Sequence, residues 1–252
     1  MSVSHSDIAH AIQLLQEAKR VVVLTGAGVS AESGVPTFRD SNGLWEGHRV
    51  EDVATPRAFQ RNPDLVWRFY NQRRENLQHV SPNPGHYALA ELERLIESPG
   101  QFTLITQNVD GLHRRAGSRN VLEIHGNISR TRCTGCGEVV DQGLESLPAL
   151  PRCANCSGLL RPDIVWFEEM LPEDVWAQSA AATAMCDLFL AVGTSAVVYP
   201  AAGLIAAAKN AGAHVIEVNR VATTASSIST ICLHALAGEL LPQLVDGLRK
   251  RI

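Results

Sequence analysis

Short apolar runs rich in β-branched residues alternate with longer helical patterns along most of this chain. The runs occupy residues 21–24, 102–106, 187–192 and 214–218, and helical patterns such as 84–97 and 200–211 lie between them. Strands that alternate with helices in this way predict a parallel sheet with helices packed on it. The run at 188–192 is apolar throughout, which is typical of a strand covered on both faces. The sequence therefore predicts an α/β fold with a doubly wound parallel sheet.

A glycine-rich turn directly follows the first apolar run. Gly26 and Gly28 flank Ala27, and Ser30 follows two residues later. Glycines between a strand and a helix allow a pyrophosphate to approach the helix N-terminus, but the third glycine of the usual dinucleotide fingerprint is missing. Taken alone, the turn fits a nucleotide site and an ordinary loop equally well.

Polar residues and a second glycine turn follow the other strands at the same edge of the predicted sheet. They are Gln107, Asn108, Asp110, Gly193, Thr194, Ser195 and Asn219. Buried polar groups are costly unless they bind something, so we expect these strand ends to meet in one crevice around one ligand. Turn capping by Asn108 and Asp110 is the alternative.

Four of the six cysteines form two Cys-x-x-Cys pairs, which are separated by sixteen residues. They are Cys133, Cys136, Cys153 and Cys156. Four thiolates at this spacing predict a closed tetrahedral zinc site with no open position, which makes the metal structural. A redox pair is the alternative, but it does not explain why the motif occurs twice. For the lone Cys186 and Cys232 we predict only that they are small buried hydrophobes.

Two segments interrupt the alternation of strands and helices. Residues 34–81 contain a helix whose start is marked by Asn62 and Pro63, and residues 125–162 hold the paired cysteines. We expect both to form a smaller unit of a zinc ribbon and helices, inserted into a Rossmann-like domain. The predicted division gives residues 1–35, 82–126 and 163–252 to the Rossmann-like domain, and 36–81 and 127–162 to the small one.

His125 is the candidate general base. It follows the short apolar stretch 121–124 and therefore lies where a strand enters the predicted crevice. Histidine titrates near neutral pH and is the side chain most often used for proton transfer. His113 is the competing candidate, because it follows the polar strand end at 107–110.

Composition excludes some classes of partner. The formal net charge is −4 and the pI is near 6.1, so the chain lacks the basic excess of a generic nucleic-acid or anionic-membrane surface. No stretch approaches the roughly 18 apolar residues of a membrane span, and residues 1–20 have the pattern of a surface helix without a signal peptide. We expect a cytoplasmic monomer that binds neither nucleic acid nor membrane.

Five motifs taken together resemble the sirtuin family. They are Gly-Ala-Gly-Val-Ser at 26–30, Gly-Val-Pro-Thr-Phe-Arg-Asp at 34–40, Thr-Gln-Asn-Val-Asp-Gly-Leu-His at 106–113, His-Gly at 125–126 and Gly-Thr-Ser at 193–195. The paired cysteines lie in the expected place, before the Pro-Asp-Ile-Val-Trp-Phe motif at 162–167. The resemblance runs from about residue 18 to the C-terminus.

The resemblance implies NAD-dependent removal of acyl groups from the lysines of protein or peptide substrates, with transfer of the acyl group to ADP-ribose and release of nicotinamide. NAD is then a consumed co-substrate. His125 would take a proton from the ribose hydroxyls, and Asn108 and Asp110 would hold the nicotinamide end and the ribose. The NAD contacts that the resemblance implies are Gly26, Ala27, Gly28, Ser30, Phe38, Arg39, Gln107, Asn108, Asp110, Gly193, Thr194, Ser195, Asn219, Arg220 and Ala237.

Tyr70 and Arg73 bear on the acyl group. They lie at i and i+3 of the predicted helix, and the stretch 54–73 is similar to the sirtuin branch that removes succinyl and malonyl groups. A phenol and a guanidinium suit a distal carboxylate. The alternatives are a solvated helix face and an enzyme that removes acetyl groups only. The substrate contacts implied are Tyr70, Arg73, Ala54, Val165 and Tyr199.

The chain departs from the family at Glu168. Relatives commonly have Phe-Gly-Glu where this chain has Phe-Glu-Glu at 167–169, in a segment that pairs with the substrate peptide. Pairing through main-chain groups survives this change, but we expect peptide selectivity to differ.

Two other classes of protein are alternatives to a deacylase. They are an NAD-dependent oxidoreductase and a zinc-ribbon module that binds nucleic acid. The acidic net charge counts against the second.

Overall fold

The protein is described by a computed structural model that covers residues 3–37, 44–45, 47–96 and 100–251. Its strands are β1 (Arg20–Thr25), β2 (Leu44–Trp45), β3 (His48–Arg49), β4 (Gln101–Thr106), β5 (Val121–Glu123), β6 (Gly126–Cys133), β7 (Val139–Asp141), β8 (Leu160–Ile164), β9 (Leu188–Val192), β10 (His214–Asn219) and β11 (Ile231–His234). Six of them form a parallel sheet in the order β11-β10-β9-β1-β4-β5. The strand order reverses beside β1, where ligands bind in open sheets of this kind.

Helices cover both faces of this sheet. The helices are α1 (His5–Glu17), α2 (Ala27–Ala31), α3 (Val50–Val53), α4 (Pro56–Arg61), α5 (Pro63–Gln78), α6 (Pro84–Ile96), α7 (Leu112–Arg115), α8 (Glu173–Met185), α9 (Gly203–Asn210) and α10 (Ala237–Arg249). Alternate residues of β1 explain the two layers: Val21 and Val23 pack towards α1, α6 and α10, whereas Val22 and Leu24 pack towards α8 and α9.

A third apolar core lies beside the sheet. It joins α3, α4 and α5 to an antiparallel sheet with the order β7-β6-β8. Trp67 and Phe69 of α5 are buried here together with Ile128 and Leu160 of the strands. The helix begins where the sequence predicts, because Asn62 Oδ1 accepts from the Leu65 N–H at 3.0 Å and Pro63 occupies the first turn.

The predicted fold class is confirmed, with a doubly wound parallel sheet and a smaller zinc-ribbon and helical part. The four predicted strands are present within one or two residues at each end, while the helix predicted at 200–211 begins at residue 203. The division between the two domains at particular residues stays a prediction. Among the described residues, no helix is both long enough and apolar enough to cross a bilayer.

Candidate functional site

The glycine turn packs directly against the loop that follows β9. The Gly28 N–H donates to the Gly193 carbonyl at 2.8 Å, and the Gly26 N–H donates to the Val192 carbonyl at 3.1 Å. A Cβ atom at Gly28 would lie 2.7 Å from the Gly193 oxygen, so this close approach of two backbones requires glycine. The two loops therefore form a continuous floor at the carboxyl edge of the sheet.

Amide side chains connect the neighbouring strand ends to this floor. Gln107 Nε2 donates to Thr194 Oγ1 at 2.9 Å, and Asn108 Nδ2 donates to the Gly26 carbonyl at 3.0 Å. Asn219 Nδ2, at the end of β10, donates to the Thr194 carbonyl at 2.9 Å. The ends of β1, β4, β9 and β10 thus meet in one crevice, as the sequence predicts.

Asp110 lies at the centre of a buried polar network in this crevice. Its Oδ2 accepts from Ser30 Oγ at 2.8 Å, and Ser30 Oγ accepts from Asn108 Nδ2 at 3.1 Å. His86 Nε2 lies 3.4 Å from the same Ser30 oxygen. His86 Nδ1 accepts from the Asn83 N–H, so Nε2 carries the proton and donates to Ser30. The network fixes both residues predicted to hold a ribose and a nicotinamide.

The charge on Asp110 is balanced by its neighbours. Burial raises the pKa of this carboxyl above its usual value. The Leu112 N–H, the Ser30 hydroxyl and the charge of Arg73 oppose this effect. The Leu112 N–H donates to Oδ1 at 2.9 Å, so Asp110 also caps its own turn, as the alternative interpretation held. The Asn108 side chain instead donates to the Gly26 carbonyl of the glycine turn, which turn capping does not explain.

His113 lies in the polar core beneath the crevice and not at its surface. Its ring is 2 % exposed, and its Nε2 is 2.9 Å from Thr25 Oγ1. The His86 and His113 rings are 4.8 Å apart between centroids. Burial lowers the pKa of His86 to about 4 and holds the pKa of His113 well below its usual value. Both rings are therefore neutral at pH 7, and the geometry favours His125 over His113 as the base.

These two neutral histidines predict a loss of stability in mild acid. In the unfolded chain His86 takes up a proton below about pH 6.5, whereas in the folded chain it does so only near pH 4. The free energy of unfolding therefore falls as the pH drops from 6.5 to 4. His86 alone accounts for about 3 kcal/mol at most. Urea unfolding at pH 7.5, 5.5 and 4.5 measures it, and His86→Asn should show a shallower pH dependence than the parent. An unchanged slope would show that His86 is not buried in its neutral form, and exposed His214→Asn is the control.

His125 is held in one orientation by the end of β4. Its Nδ1 lies 2.9 Å from the Gln107 carbonyl oxygen, which can only accept, so Nδ1 carries the proton and Nε2 has the free lone pair. Burial lowers the pKa of His125, and the bond to Gln107 partly opposes this. Gly126 has φ +80°, and a Cβ there would lie 2.1 Å from the Asp163 oxygen, so only glycine allows the chain to turn here. The result is a neutral imidazole that can accept a proton.

Residues 165–167, the bridging segment, connect His125 to the small unit. The Val165 N–H donates to the His125 carbonyl at 2.9 Å, and the Phe167 N–H donates to the Ala54 carbonyl at 3.0 Å. Val165, a predicted substrate contact, is therefore bonded to the candidate base, and Ala54, another, is bonded to the same segment two residues further on. Tyr199, a further predicted substrate contact, lies on the loop after β9 and is 76 % exposed.

Tyr70 and Arg73 are buried, which rules out the solvated helix face for them. Tyr70 is 0 % and Arg73 8 % exposed, whereas Arg68 on the same helix is exposed and pairs with Asp64. The Arg73 guanidinium carbon lies 5.6 Å from the centre of the Phe69 ring. Burial raises the pKa of Tyr70 to about 12, against the opposing influence of Arg73. The phenol is thus a neutral donor beside a buried cation.

Glu168 adopts a backbone conformation that favours glycine. Its φ is +74°, in the left-handed region. Both carboxylate oxygens bind the Arg57 guanidinium, which lies on α4. Glu168 therefore holds a conformation that glycine adopts more readily, and it adds an exposed ion pair next to the bridging segment.

The four paired cysteines form one cluster. Their sulfur atoms all lie within 4.8 Å of one another, and Cys133 to Cys156 and Cys136 to Cys153 are 3.4 and 3.8 Å apart. A tetrahedron with Zn–S bonds of about 2.3 Å places its sulfurs about 3.8 Å apart, so the cluster fits zinc. All four ligand positions are thiolates, and the site is suited to a structural metal. All six cysteines are free, without disulfides.

Helix α5 is fixed to the zinc-binding part by hydrogen bonds. Trp67 Nε1 donates to the Leu160 carbonyl at 2.9 Å, and Asn71 Nδ2 donates to the Leu147 carbonyl at 2.8 Å. Buried Arg74 donates to the Ile128 carbonyl at 2.5 Å. The same helix carries Tyr70 and Arg73, so the metal site supports the position of this pair.

The remaining predicted NAD contacts are placed as follows. Phe38 and Arg39 lie outside the described residues. Ala27 and Arg220 are exposed at the strand edge, Ser195 is half-buried, and Ala237 is buried at the start of α10. His86 and Trp166 are site residues that the sequence did not predict. Trp166 lies in the motif at 162–167, and its place next to the predicted substrate contact Val165 could have indicated its role. Nothing in the local sequence distinguishes His86 from the other histidines.

Comparison with known proteins agrees with this geometry. Residues 26–200 match the Sir2 family. The chain is 50% identical to NAD-dependent protein deacylase 2 of Pyrobaculum aerophilum over 241 residues, which cover 95% of each protein. The solved structure of a Sir2 homologue in complex with NAD is 44% identical to this chain, with a TM-score of 0.91. The match covers 100% of this chain and 97% of that one. Sir2Af2 bound to a myristoylated histone peptide is 36% identical, with a TM-score of 0.78 and 98% of each chain covered. The chain therefore belongs to the Sir2 family.

Proposed function

We propose that this chain is an NAD-dependent protein deacylase that prefers lysine acyl groups ending in a carboxylate, such as succinyl and malonyl, over acetyl. NAD is the co-substrate, and acyl-lysine proteins or peptides are the substrates. The observation that carries the acyl preference is the buried pair Tyr70 and Arg73. Its helix is joined through Trp166 to the segment that contacts His125.

The crevice supplies the groups that this chemistry needs. When bound, NAD supplies the electrophilic anomeric carbon and the ribose hydroxyls. Asn108, Ser30 and Asp110 form a rigid set of donors and acceptors for the ribose and the nicotinamide end. His125 Nε2 accepts a ribose proton because Nδ1 is committed to the Gln107 carbonyl. The protein therefore needs positioning, exclusion of water and one base.

The pocket charge discriminates between acyl groups. Arg73 is a buried cation whose charge is felt at both Tyr70 and Asp110. A succinyl or malonyl carboxylate would bind the guanidinium and accept from the neutral phenol, whereas an acetyl group offers neither interaction. A site built for a polar group disfavours a substrate that lacks it. Acetyl-lysine is expected to react more slowly.

Arg73→Met tests this preference. The variant keeps an apolar stem of similar length and removes the charge, so kcat/KM for a succinyl-lysine peptide should fall by about 100-fold, or about 3 kcal/mol. The rate for the acetyl-lysine form of the same peptide should change by less than about threefold. Rates of NAD-dependent deacylation measure both, and exposed Arg68→Met is the matched control on the same helix.

The opposite result identifies the alternative enzyme. If the parent removes acetyl groups faster than succinyl groups, and Arg73→Met leaves the ratio unchanged, the chain is a deacetylase in which the pair reads no carboxylate. If the absorbance band of the reduced form of nicotinamide appeared during turnover, the chain would instead be an oxidoreductase.

We also propose a monomer in the cytoplasm with no nucleic-acid partner. Six free cysteines are typical of a reducing compartment, and the acidic net charge argues against DNA. The division into a Rossmann-like domain and a small domain at the boundaries given above belongs to the same proposal.

A further inference from the structure

Trp166 contacts Tyr70 from the bridging segment. Its Nε1 lies 2.9 Å from Tyr70 Oη, and both side chains are buried, at 3 % and 0 % exposure. An indole N–H is only a donor, so the phenolic oxygen is the acceptor in this bond. The phenolic hydrogen therefore points away from the indole. The hydrogen bond thus fixes the position of the Tyr70 oxygen and leaves its hydrogen available to another acceptor.

The indole is itself held from two sides. The Arg161 guanidinium carbon lies 3.5 Å from the centre of the Trp166 ring, and Glu169 accepts from both terminal nitrogens of Arg161, at 2.6 and 2.8 Å. Glu169 also accepts from the Trp166 backbone N–H at 2.8 Å. Phe59 packs on the ring at 5.3 Å between centroids. Such support leaves the indole one position.

We propose that Trp166 is a specificity-determining positioning residue, which orients the Tyr70 hydroxyl towards the carboxylate of the acyl group. The inference rests on the proposed function, because it concerns the same acyl pocket. Trp166 acts through Tyr70 and does not itself bind the carboxylate. Loss of the indole N–H lets the phenol rotate, and the acyl carboxylate loses a directed donor while an acetyl group loses nothing.

Trp166→Phe is the first test. It retains an aromatic ring and removes the N–H, so kcat/KM for a succinyl-lysine peptide should fall about fivefold, the worth of one hydrogen bond. Turnover of the acetyl-lysine peptide should stay within about twofold of the parent. We expect KM to rise for the succinyl peptide alone. The value of kcat should not change, since the chemistry at His125 is unchanged.

Trp67→Phe is the matched control. Trp67 is also buried in this core, and its Nε1 donates to the Leu160 carbonyl and not to Tyr70. It should lower stability but leave the ratio of succinyl to acetyl rates close to that of the parent, because Asn71 and Arg74 still bond α5 to the zinc-binding part. If Trp166→Phe does not fold, replacement of Trp166 by benzothienylalanine removes the N–H and keeps the bicyclic shape.

A double-mutant cycle separates the outcomes. In the Tyr70→Phe background, Trp166→Phe should have no further effect on the ratio, because the acceptor is already absent. If Arg73→Met changes the ratio but Trp166→Phe lowers both rates equally, the role of Trp166 is wrong and the proposed function stands. If Arg73→Met also leaves the ratio unchanged, the proposed function itself is wrong.

Discussion

Replacing His125 with asparagine should lower kcat for NAD-dependent deacylation by about 10²- to 10⁴-fold, the usual contribution of a positioned general base. Asparagine can still donate to the Gln107 carbonyl, so the end of β4 should keep its shape. In the proposed chemistry nicotinamide leaves before a ribose proton is removed, so only the later transfer of the acyl group needs the base. Exchange of labelled nicotinamide into NAD should therefore persist while product formation stops.

The pH profile gives a second test of the same residue. Burial lowers the pKa of His125, so the acid limb of kcat/KM should lie below pH 6.5 and activity should be lost as the pH falls through it. Equal loss of nicotinamide exchange and deacylation in His125→Asn would contradict a role confined to the base. His79→Asn, on the small unit and outside the crevice, is the control.

Removal of the metal should have the largest effect on stability. Cys153→Ser should lose zinc and lower the free energy of unfolding by more than about 3 kcal/mol, because metal binding and folding of such sites are coupled. Zinc content and urea unfolding measure this. Trp67 gives a local signal, since its indole N–H bonds to Leu160 of the zinc-binding part.

The control for this variant is Cys232→Ser, which changes a half-buried cysteine outside the cluster and should retain zinc. Because α5 is fixed to the zinc-binding part, Cys153→Ser should also reduce the preference for succinyl over acetyl in whatever activity remains. A variant that lost zinc and kept full stability and preference would show that the hydrogen bonds of α5 hold it in place without the metal.

The sheet was predictable because its strands carry local signals. Residues 21–24 and 188–192 are apolar runs followed by glycine, and each belongs to one strand whose side chains are buried on both faces. The start of α5 was equally local, because Asn62 and Pro63 act within one turn. The exact course of 125–164 was not predictable, since β6 pairs with β8 across the intervening residues 134–159, which include β7 and three of the paired cysteines.

The site was predictable in its strand ends and less so in its support. Asn108 and Asp110 are polar where a strand ends, which is a signal in itself. His86 and Trp166 act through partners distant in sequence, Ser30 and Tyr70, and no periodicity connects these pairs. The burial of Arg73 was also not predictable from the helical pattern, because an arginine on an amphipathic helix is usually solvated.

The bridging segment has a consequence for motion. Its backbone is bonded to His125 at one end and to Ala54 at the other, and its central indole is bonded to α5. A hinge between His125 and the small unit would have to break either the bond to His125 or the bonds to Ala54 and Tyr70. We therefore expect the bridging segment to limit opening between His125 and α5 during the catalytic cycle.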